Sequence, residues 1–367
     1  CVMQIPHNDK SEPLSDVTGV IFAGGKSTRM GSDKAGMMID GQSLFQRVSR
    51  ALGQVCKQRQ IAGERPDLAA DELPAFADIH PGSSLGGLHN ALINAQTEWI
   101  LVLPCDLPYP SPELLRCLLT HRNGVQAVIP RTSSGTEQLV ACYHRSILPL
   151  VEEQLRKGDL RLTNLIERLQ VFYLNEQDLP CGWRRALTNL NRPQEFEKLQ
   201  SPPPVVTLVA RSGTGKTTLL VKLIAEMTAR GWTVGALKHD AHKFEIDHEG
   251  KDTWKMAAAG AALTAISSPA KTAIIQRHEL EPQFDQLLHP FIGKVDILLT
   301  EGFKRSSLPK IEAYRQELGQ SLLCRGDYDD PALIAVASNA QLELDVPCFN
   351  LNDAPTIADF IEKRFLK

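Results

Sequence analysis

Two glycine-rich segments of this chain each carry what a polyphosphate needs. The first runs Gly19-Val20-Ile21-Phe22-Ala23-Gly24-Gly25-Lys26-Ser27-Thr28-Arg29-Met30-Gly31-Ser32-Asp33-Lys34, and the second Ala210-Arg211-Ser212-Gly213-Thr214-Gly215-Lys216-Thr217-Thr218. An apolar stretch feeds each. Backbone N–H groups reach phosphate oxygens only where no Cβ intervenes, and a lysine neutralises their charge. Gly24-Gly25 alone reads as a tight strand-to-helix turn. Followed by Arg29, Gly31 and Lys34, the pair suits a triphosphate, with Arg29 and Lys34 holding negative oxygens. In Trp99-Ile100-Leu101-Val102-Leu103-Pro104-Cys105-Asp106 an acid ends an apolar strand, where an open α/β sheet faces its ligand crevice. Asp106 there suits Mg²⁺, which bridges one or two carboxylates to phosphates and keeps several waters. The competing role for Asp106, a helix N-cap, is weakened by Pro108 and Pro110. Cys105 reads as a buried structural thiol.

The second segment follows Val205–Val209 and opens a helix, as a Walker A loop requires, with Ala210 in place of the first glycine. Lys216 is placed to reach β/γ-phosphates and Thr217 to bind Mg²⁺. Asp296-Ile297-Leu298-Leu299-Thr300-Glu301-Gly302-Phe303 is an apolar strand with an acid at either end. Glu301, at the carboxyl end, is the Walker B candidate, and Asp296 reads as solvent-facing. The chain has no guanine-reading N/T-K-x-D motif, so the residues leave its base preference open. His239, His242 and His248, beside Asp240 and Asp247, read as a solvated or phosphate-facing loop rather than a metal cluster.

Alternating strands and helices must position these loops. In the first half the pattern predicts strands at 17–23, 60–62, 99–103, 125–130 and 138–143, and helices at 43–56, 86–96, 112–120, 146–156 and 162–170. In the second it predicts strands at 205–209, 234–237, 297–300 and 333–337, and helices at 217–230 and 354–364. Such alternation implies an α/β fold of two domains: a Rossmann-like doubly wound sheet, then a P-loop α/β domain. The expected division is a polar N-terminal extension (1–16), a first domain (17–200), a proline linker (201–204) and a second domain (205–367). Pro202-Pro203-Pro204 can continue neither a helix nor a central strand, and favours a spacer at ~3.1 Å per residue. The 367 residues suffice for two cores, and a net charge of −3 leaves no basic footprint for nucleic acid. No apolar run reaches the ~18 residues of a membrane span, and the polar first residues lack a secretory h-region. The Cys1 start points to a trimmed or incomplete terminus. Eight scattered cysteines without a C-x-x-C pair fit buried thiols in a reducing cytoplasm.

Residues 18–199 resemble the molybdenum cofactor guanylyltransferase family. The motifs are Phe22-Ala23-Gly24-Gly25-x-Ser27-x-Arg29-Met30-Gly31-x-Asp33-Lys34, Leu85-Gly86-Gly87-Leu88, Pro104-Cys105-Asp106-x-Pro108 and Asn189-x-Asn191-x-Pro193-x-Glu195. Sugar nucleotidyltransferases generally have a longer glycine loop. The resemblance implies that the phosphate of molybdenum-loaded molybdopterin attacks the α-phosphorus of Mg·GTP, giving the guanine dinucleotide cofactor and pyrophosphate. It places Phe22, Ala23, Gly24, Gly25 and Gly87 at the nucleotide, Lys34 on its phosphates, Asp78 near ribose or base and Asp106 on Mg²⁺. Asn189 and Asn191 would reach the reacting phosphates or the pterin. Two departures stand out: a single Gly31 before Ser32-Asp33-Lys34, and Ala62-Gly63-Glu64-Arg65 without the asparagine often found there.

Residues 205–367 resemble the small GTP-binding adaptor of molybdopterin guanine dinucleotide synthesis. The match runs through Ser212-Gly213-Thr214-Gly215-Lys216-Thr217-Thr218-Leu219, Leu237-Lys238-His239, Gly250-Lys251-Asp252-Thr253, Ala259-Gly260-Ala261 and Glu301-Gly302-Phe303-Lys304. It implies GTP held by Gly213, Gly215, Lys216, Thr217, Thr218 and Glu301, a weak GTPase activity and a homodimer formed through this half. The implied partners are GTP, molybdenum-molybdopterin, the molybdenum-insertion protein and molybdoenzyme apoproteins or their chaperones. The expectation is thus a cytoplasmic fusion of transferase and adaptor. The alternatives are a cytidylyltransferase, a sugar-phosphate guanylyltransferase, or a regulatory nucleotide sensor with a degenerate first site.

Overall fold

The computed structural model describes residues 12–23, 33–69, 73–190, 192–239, 246–278, 280–326 and 328–367. Contacts divide the chain into two units, one of residues 12–200 with 227–233, the other of 201–226 with 234–367.

An eight-stranded sheet carries the first unit. Its main path uses β1 (Leu14–Phe22), β2 (Cys56–Ala62), β3 (Ala75–Phe76), β4 (Trp99–Pro104), β5 (Ala127–Thr132), β6 (Ala141–His144) and β7 (Val171–Asn175). The order is β7-β5-β6-β4-β1-β2-β3, with Gly135–Thr136 paired to β5. Only β6 along this path runs antiparallel to its neighbours. The unit's helices include α1 (Leu44–Gly53), α2 (Ser84–Asn94), α3 (Pro112–Thr120), α4 (Leu148–Arg156) and α5 (Leu162–Ile166). Side chains alternate across a strand. Leu101 and Leu103 of β4 therefore join Val48, Leu52, Leu114 and Leu118 of α1 and α3, while Ile100 and Val102 join Leu85, Leu88 and Val151 of α2 and α4. Both faces are covered, which is why the central strands read as continuous apolar runs. Each fully buried Leu or Ile contributes about 1.5–3 kcal/mol. The chain leaves β1 toward β2 on one side and returns through β4 on the other, so the topological switch point lies at their carboxyl ends.

The second unit contains β8 (Val205–Val209), β9 (Val234–Lys238), β10 (Leu263–Ser267), β11 (Thr272–Gln276), β12 (Ile297–Glu301), β13 (Lys310–Tyr314), β14 (Leu333–Ser338) and β15 (Cys348–Asn350). Six of these form a parallel sheet in the order β9-β12-β8-β13-β14-β15, and β10 and β11 pair only with each other. Helix α6 (Lys216–Ala229) follows β8, and α7 (Ala354–Phe365) ends the unit.

Several boundaries differ from the sequence expectations. Strand β1 starts at Leu14, inside the stretch expected to be a polar extension, because Leu14 N donates to Val55 O and so enters the sheet. Helix α1 stops at Gly53 rather than 56, since Cys56 opens β2. Its start is fixed by a capping box between Ser43 and Gln46. Strand β2 is longer than expected despite Lys57, Gln58 and Arg59, and α5 is shorter, ending at Ile166. Strands β7 and β13 went unanticipated. Lys310-Ile311-Glu312-Ala313-Tyr314 alternates charged and apolar residues, yet Lys310 and Glu312 are buried. Asp330 pairs with Lys310 at 3.0 Å, and the amides of Leu323 and Cys324 donate to Glu312 at 2.5 and 2.9 Å. A paired charge can occupy a central strand where a lone one cannot.

Candidate functional site

The carboxyl ends of β1, β2 and β4 meet at one edge of the first sheet. Phe22 lies in register with Ala62 and Pro104, and Cys105 N donates to Phe22 O at 3.1 Å. Ala23 is buried, with its N–H on Ala62 O. A Cβ on Gly87 would come 3.2 Å from the Phe22 ring, so Gly87 lets the start of α2 pack closely on this strand end. Asp78 joins the same edge through Asn90 of α2, whose Nδ2 donates to Asp78 Oδ1 and to Phe76 O, both at 2.7 Å.

Lys34 opens a short 3₁₀ turn, Lys34–Gly36, capped by Asp33, whose Oδ1 accepts from Ala35 N. Its ammonium donates to Asp106 Oδ2 at 2.9 Å, both side chains being mostly buried. Leu190 N donates to Asp106 O, which places Asn189 beside that acid. Among the described residues, two buried oxygens here have no hydrogen-bond partner: Asp106 Oδ1 and Asn189 Oδ1. A buried acceptor left unpaired costs free energy unless a ligand or cation satisfies it. A carboxylate with one orphaned oxygen at a crevice suits a hard cation that takes its other ligands from phosphates and water. Burial pushes the Cys105 thiol up to about 12, so it stays protonated beside Asp106. The structure thus brings together Phe22, Ala23, Lys34, Asp78, Gly87, Asp106 and Asn189. Gly24, Gly25, Arg29 and Asn191 lie outside the described residues.

In the second unit, Gly213 and Gly215 adopt φ of +79° and +94°, which turns the loop between β8 and α6 in a way that side chains with a Cβ resist. Lys216 and Thr217 begin α6. Thr217 Oγ1 donates to Glu301 Oε2 at 2.7 Å, and Lys216 Nζ lies 3.5 Å from Glu301 Oε1. Glu301, at the end of β12, is buried, whereas Asp296 precedes that strand at its other end. Thr218 follows on α6 and is exposed. A hydroxyl, an ammonium and a buried carboxylate at a glycine loop can hold a phosphate and its cation. Arg315, after β13, braces the loop: its Nε donates to Thr214 O at 2.8 Å. His239 stacks on Phe303 at 4.6 Å between ring centroids, and His242 is not among the described residues. Among those residues no three His, Cys, Asp or Glu side chains gather as a metal cluster.

Sequence reasoning missed Asn90 and Arg315. Asn90 carries a faint signal as a polar residue in the apolar stripe of α2. Arg315 has none, standing 101 residues from the carbonyl it holds.

A lysine–aspartate pair at a switch point, and a glycine loop on a second, parallel sheet, define a two-part nucleotide-binding α/β protein. Residues 19–172 match the family model described as MobA-like NTP transferase domain, and residues 205–339 that of molybdopterin guanine dinucleotide synthesis protein B. The second half is similar to the molybdopterin-guanine dinucleotide biosynthesis adapter protein of Haemophilus influenzae, 39% identical over 160 residues, 43% of this chain and 88% of that one. The first half is similar to probable molybdenum cofactor guanylyltransferases. That of Pelotomaculum thermopropionicum is 30% identical over 191 residues, covering 50% of this chain and 92% of the relative. That of Geobacillus sp. is 30% identical over 197 residues, covering 51% and 99%. The chain therefore belongs to both families, the guanylyltransferases through its first half and the adapter proteins through its second.

Proposed function

We propose that the protein transfers GMP from GTP to molybdenum-bearing molybdopterin, releasing pyrophosphate, and that its second half is a GTP-binding adaptor for the same pathway. The observation that carries this reading is the Lys34–Asp106 pair at one sheet edge with Asp106 Oδ1 and Asn189 Oδ1, which no described residue satisfies. A phosphate oxygen of the acceptor forms the new bond to the α-phosphorus, and the bond from that phosphorus to the α,β-bridging oxygen breaks. The nucleophile is already an anion, so no side chain has to remove a proton. Alignment and charge neutralisation do most of the catalytic work in such transfers. Asp106 would hold Mg²⁺, which supplies Lewis-acid polarisation of the phosphates when bound. Lys34, with Arg29, neutralises the triphosphate, and Asn189, with Asn191, orients the acceptor or the reacting phosphates. Phe22, Ala23, Gly24, Gly25, Gly87 and Asp78 hold the nucleoside end.

Selection of GTP over CTP is assigned to the Phe22–Gly25 segment with Gly87 and Asp78. A pocket built to pair guanine N1–H and N2 leaves polar groups unpaired with cytosine, costing a factor of roughly 10⁴. Measured with molybdenum-loaded molybdopterin, kcat/KM for GTP should exceed that for CTP by at least about 10²-fold. Equal use of the two would overturn the guanylyltransferase assignment.

In the second half, Lys216, Thr217, Glu301 and the Gly213–Gly215 backbone would bind Mg·GTP, with Thr218 at the helix start. A homodimer through this half rests on the β10–β11 hairpin. An isolated two-stranded hairpin is marginal in water, and this one exposes Leu263, Ile266 and Ile274. A second copy would cover them. Sedimentation of the full chain should show a dimer, and Ile266→Asp with Ile274→Asp a monomer; a dimer unchanged by both substitutions would move the interface elsewhere. The pathway assigns molybdoenzyme apoproteins or their chaperones and the molybdenum-insertion protein as partners, and the cytoplasm as location. The seven described cysteines are all free, which suits a reducing compartment, and no described helix is long and apolar enough to cross a membrane.

A further inference from the structure

Arg65 stands on the loop after β2, at the edge that carries Lys34 and Asp106, and forks two carboxylates at once. Its Nη2 and Nη1 lie 2.6 and 3.3 Å from the two oxygens of Asp33, and its Nε and Nη2 lie 2.9 and 2.7 Å from those of Asp67. The guanidinium side chain is 18% exposed against 52% for Asp33 and 59% for Asp67, so it is the inner member of the cluster. Asp33 is also the cap of the turn that Lys34 opens, since Ala35 N donates to its Oδ1 at 3.2 Å. The chain of contacts therefore runs from Arg65 through Asp33 to the Lys34 turn and on to Asp106.

We infer that Arg65 is a positioning residue for the first phosphate loop: by forking Asp33 it fixes the turn that aims Lys34 and neutralises the carboxylate next to it. Resting on the guanylyltransfer reading, this assigns part of the affinity for Mg·GTP to a residue that acts through Asp33 rather than on the nucleotide. Without Arg65, the Asp33 carboxylate would stand bare one residue from the lysine that receives the triphosphate. It would repel the phosphates and compete for the Lys34 ammonium. Lysine cannot replace the fork, because an ammonium is a point charge without the planar pair of donors. Asp67 touches Arg65 but not the turn, so it should matter little.

The test is a set of full-length variants: Arg65→Ala, Arg65→Lys, Asp67→Asn, and Arg65→Ala combined with Asp33→Asn. Asparagine keeps the cap and removes the charge. Arg65→Ala should raise KM for Mg·GTP about tenfold or more, the scale of a lost charged hydrogen bond, while kcat stays within about threefold. Arg65→Lys should fall between Arg65→Ala and wild type, and Asp67→Asn should match wild type. Adding Asp33→Asn to Arg65→Ala should recover most of the KM loss, which a merely destabilised fold would not do. An unchanged KM in Arg65→Ala, or no recovery in the double variant, would overturn the inference. Calorimetric Mg·GTP binding to the same set in a Lys216→Ala background measures the effect of Arg65 on the first site separately from turnover. If wild type forms no product, guanylyl transfer is wrong, while the binding ratio still decides the role of Arg65.

Discussion

Asp106→Ala is expected to lower nucleotidyl transfer by about 10²-fold or more, the scale set by losing a group that both orients and neutralises charge. The side chain sits at the crevice rather than in the core: Oδ2 accepts from Lys34, and Oδ1 meets no donor among the described residues. Truncation removes a carboxylate but little packed volume, so Tm should move by no more than about 5 °C. Asp106→Asn separates charge from shape. If Asp106 holds the cation, Asn should show a steeper Mg²⁺ requirement, with turnover partly recovered at high Mg²⁺. Steady-state transfer measured across Mg²⁺ concentrations reads both effects. Near-normal turnover of Asp106→Ala at ordinary Mg²⁺ would remove this residue from the site.

Lys216→Ala should abolish nucleotide binding in the second half while transfer continues. Titration of the full chain with Mg·GTP should fall from two sites to one, and kcat/KM for transfer should stay within about threefold, the range of ordinary indirect effects. Each loop is fed by its own sheet, from β1 in one unit and β8 in the other. Lys216 faces the buried Glu301, which retains Thr217 as a donor when the lysine is truncated, so the fold should persist. Transfer that fell in step with second-site binding would mean that the two loops act as one catalytic unit.

How much could be read from sequence depended on the range of the interaction. Helix α3 was legible to the residue because its signals are local: Ser111 caps it and Pro112 opens it. Strands β4 and β8 were equally plain, being short apolar runs before a loop. Glu301 was preferred over Asp296 by the rule that ligands gather at carboxyl ends, and it is Glu301 that reaches Thr217. Strand β13 was hidden because its lysine and glutamate are buried by partners distant in sequence, as with Asp330 on Lys310. Arg65 and Arg315 were missed as site-shaping residues for the same reason: their partners stand 32 and 101 positions away, beyond any periodicity. Asn189 carried no signal of its own and entered through family resemblance alone; its proximity to Asp106 follows from one backbone hydrogen bond at Leu190.

The most direct test of guanylyl transfer is one competition experiment. The full-length protein is incubated with molybdenum-loaded molybdopterin, Mg²⁺ and equal GTP and CTP, and the products are identified by mass spectrometry. The expected result is the guanine dinucleotide form of the cofactor, with one pyrophosphate released for each molecule formed and little of the cytosine form. A cytosine dinucleotide, an equal mixture, or GTP cleaved to GDP with the pterin unchanged would contradict it.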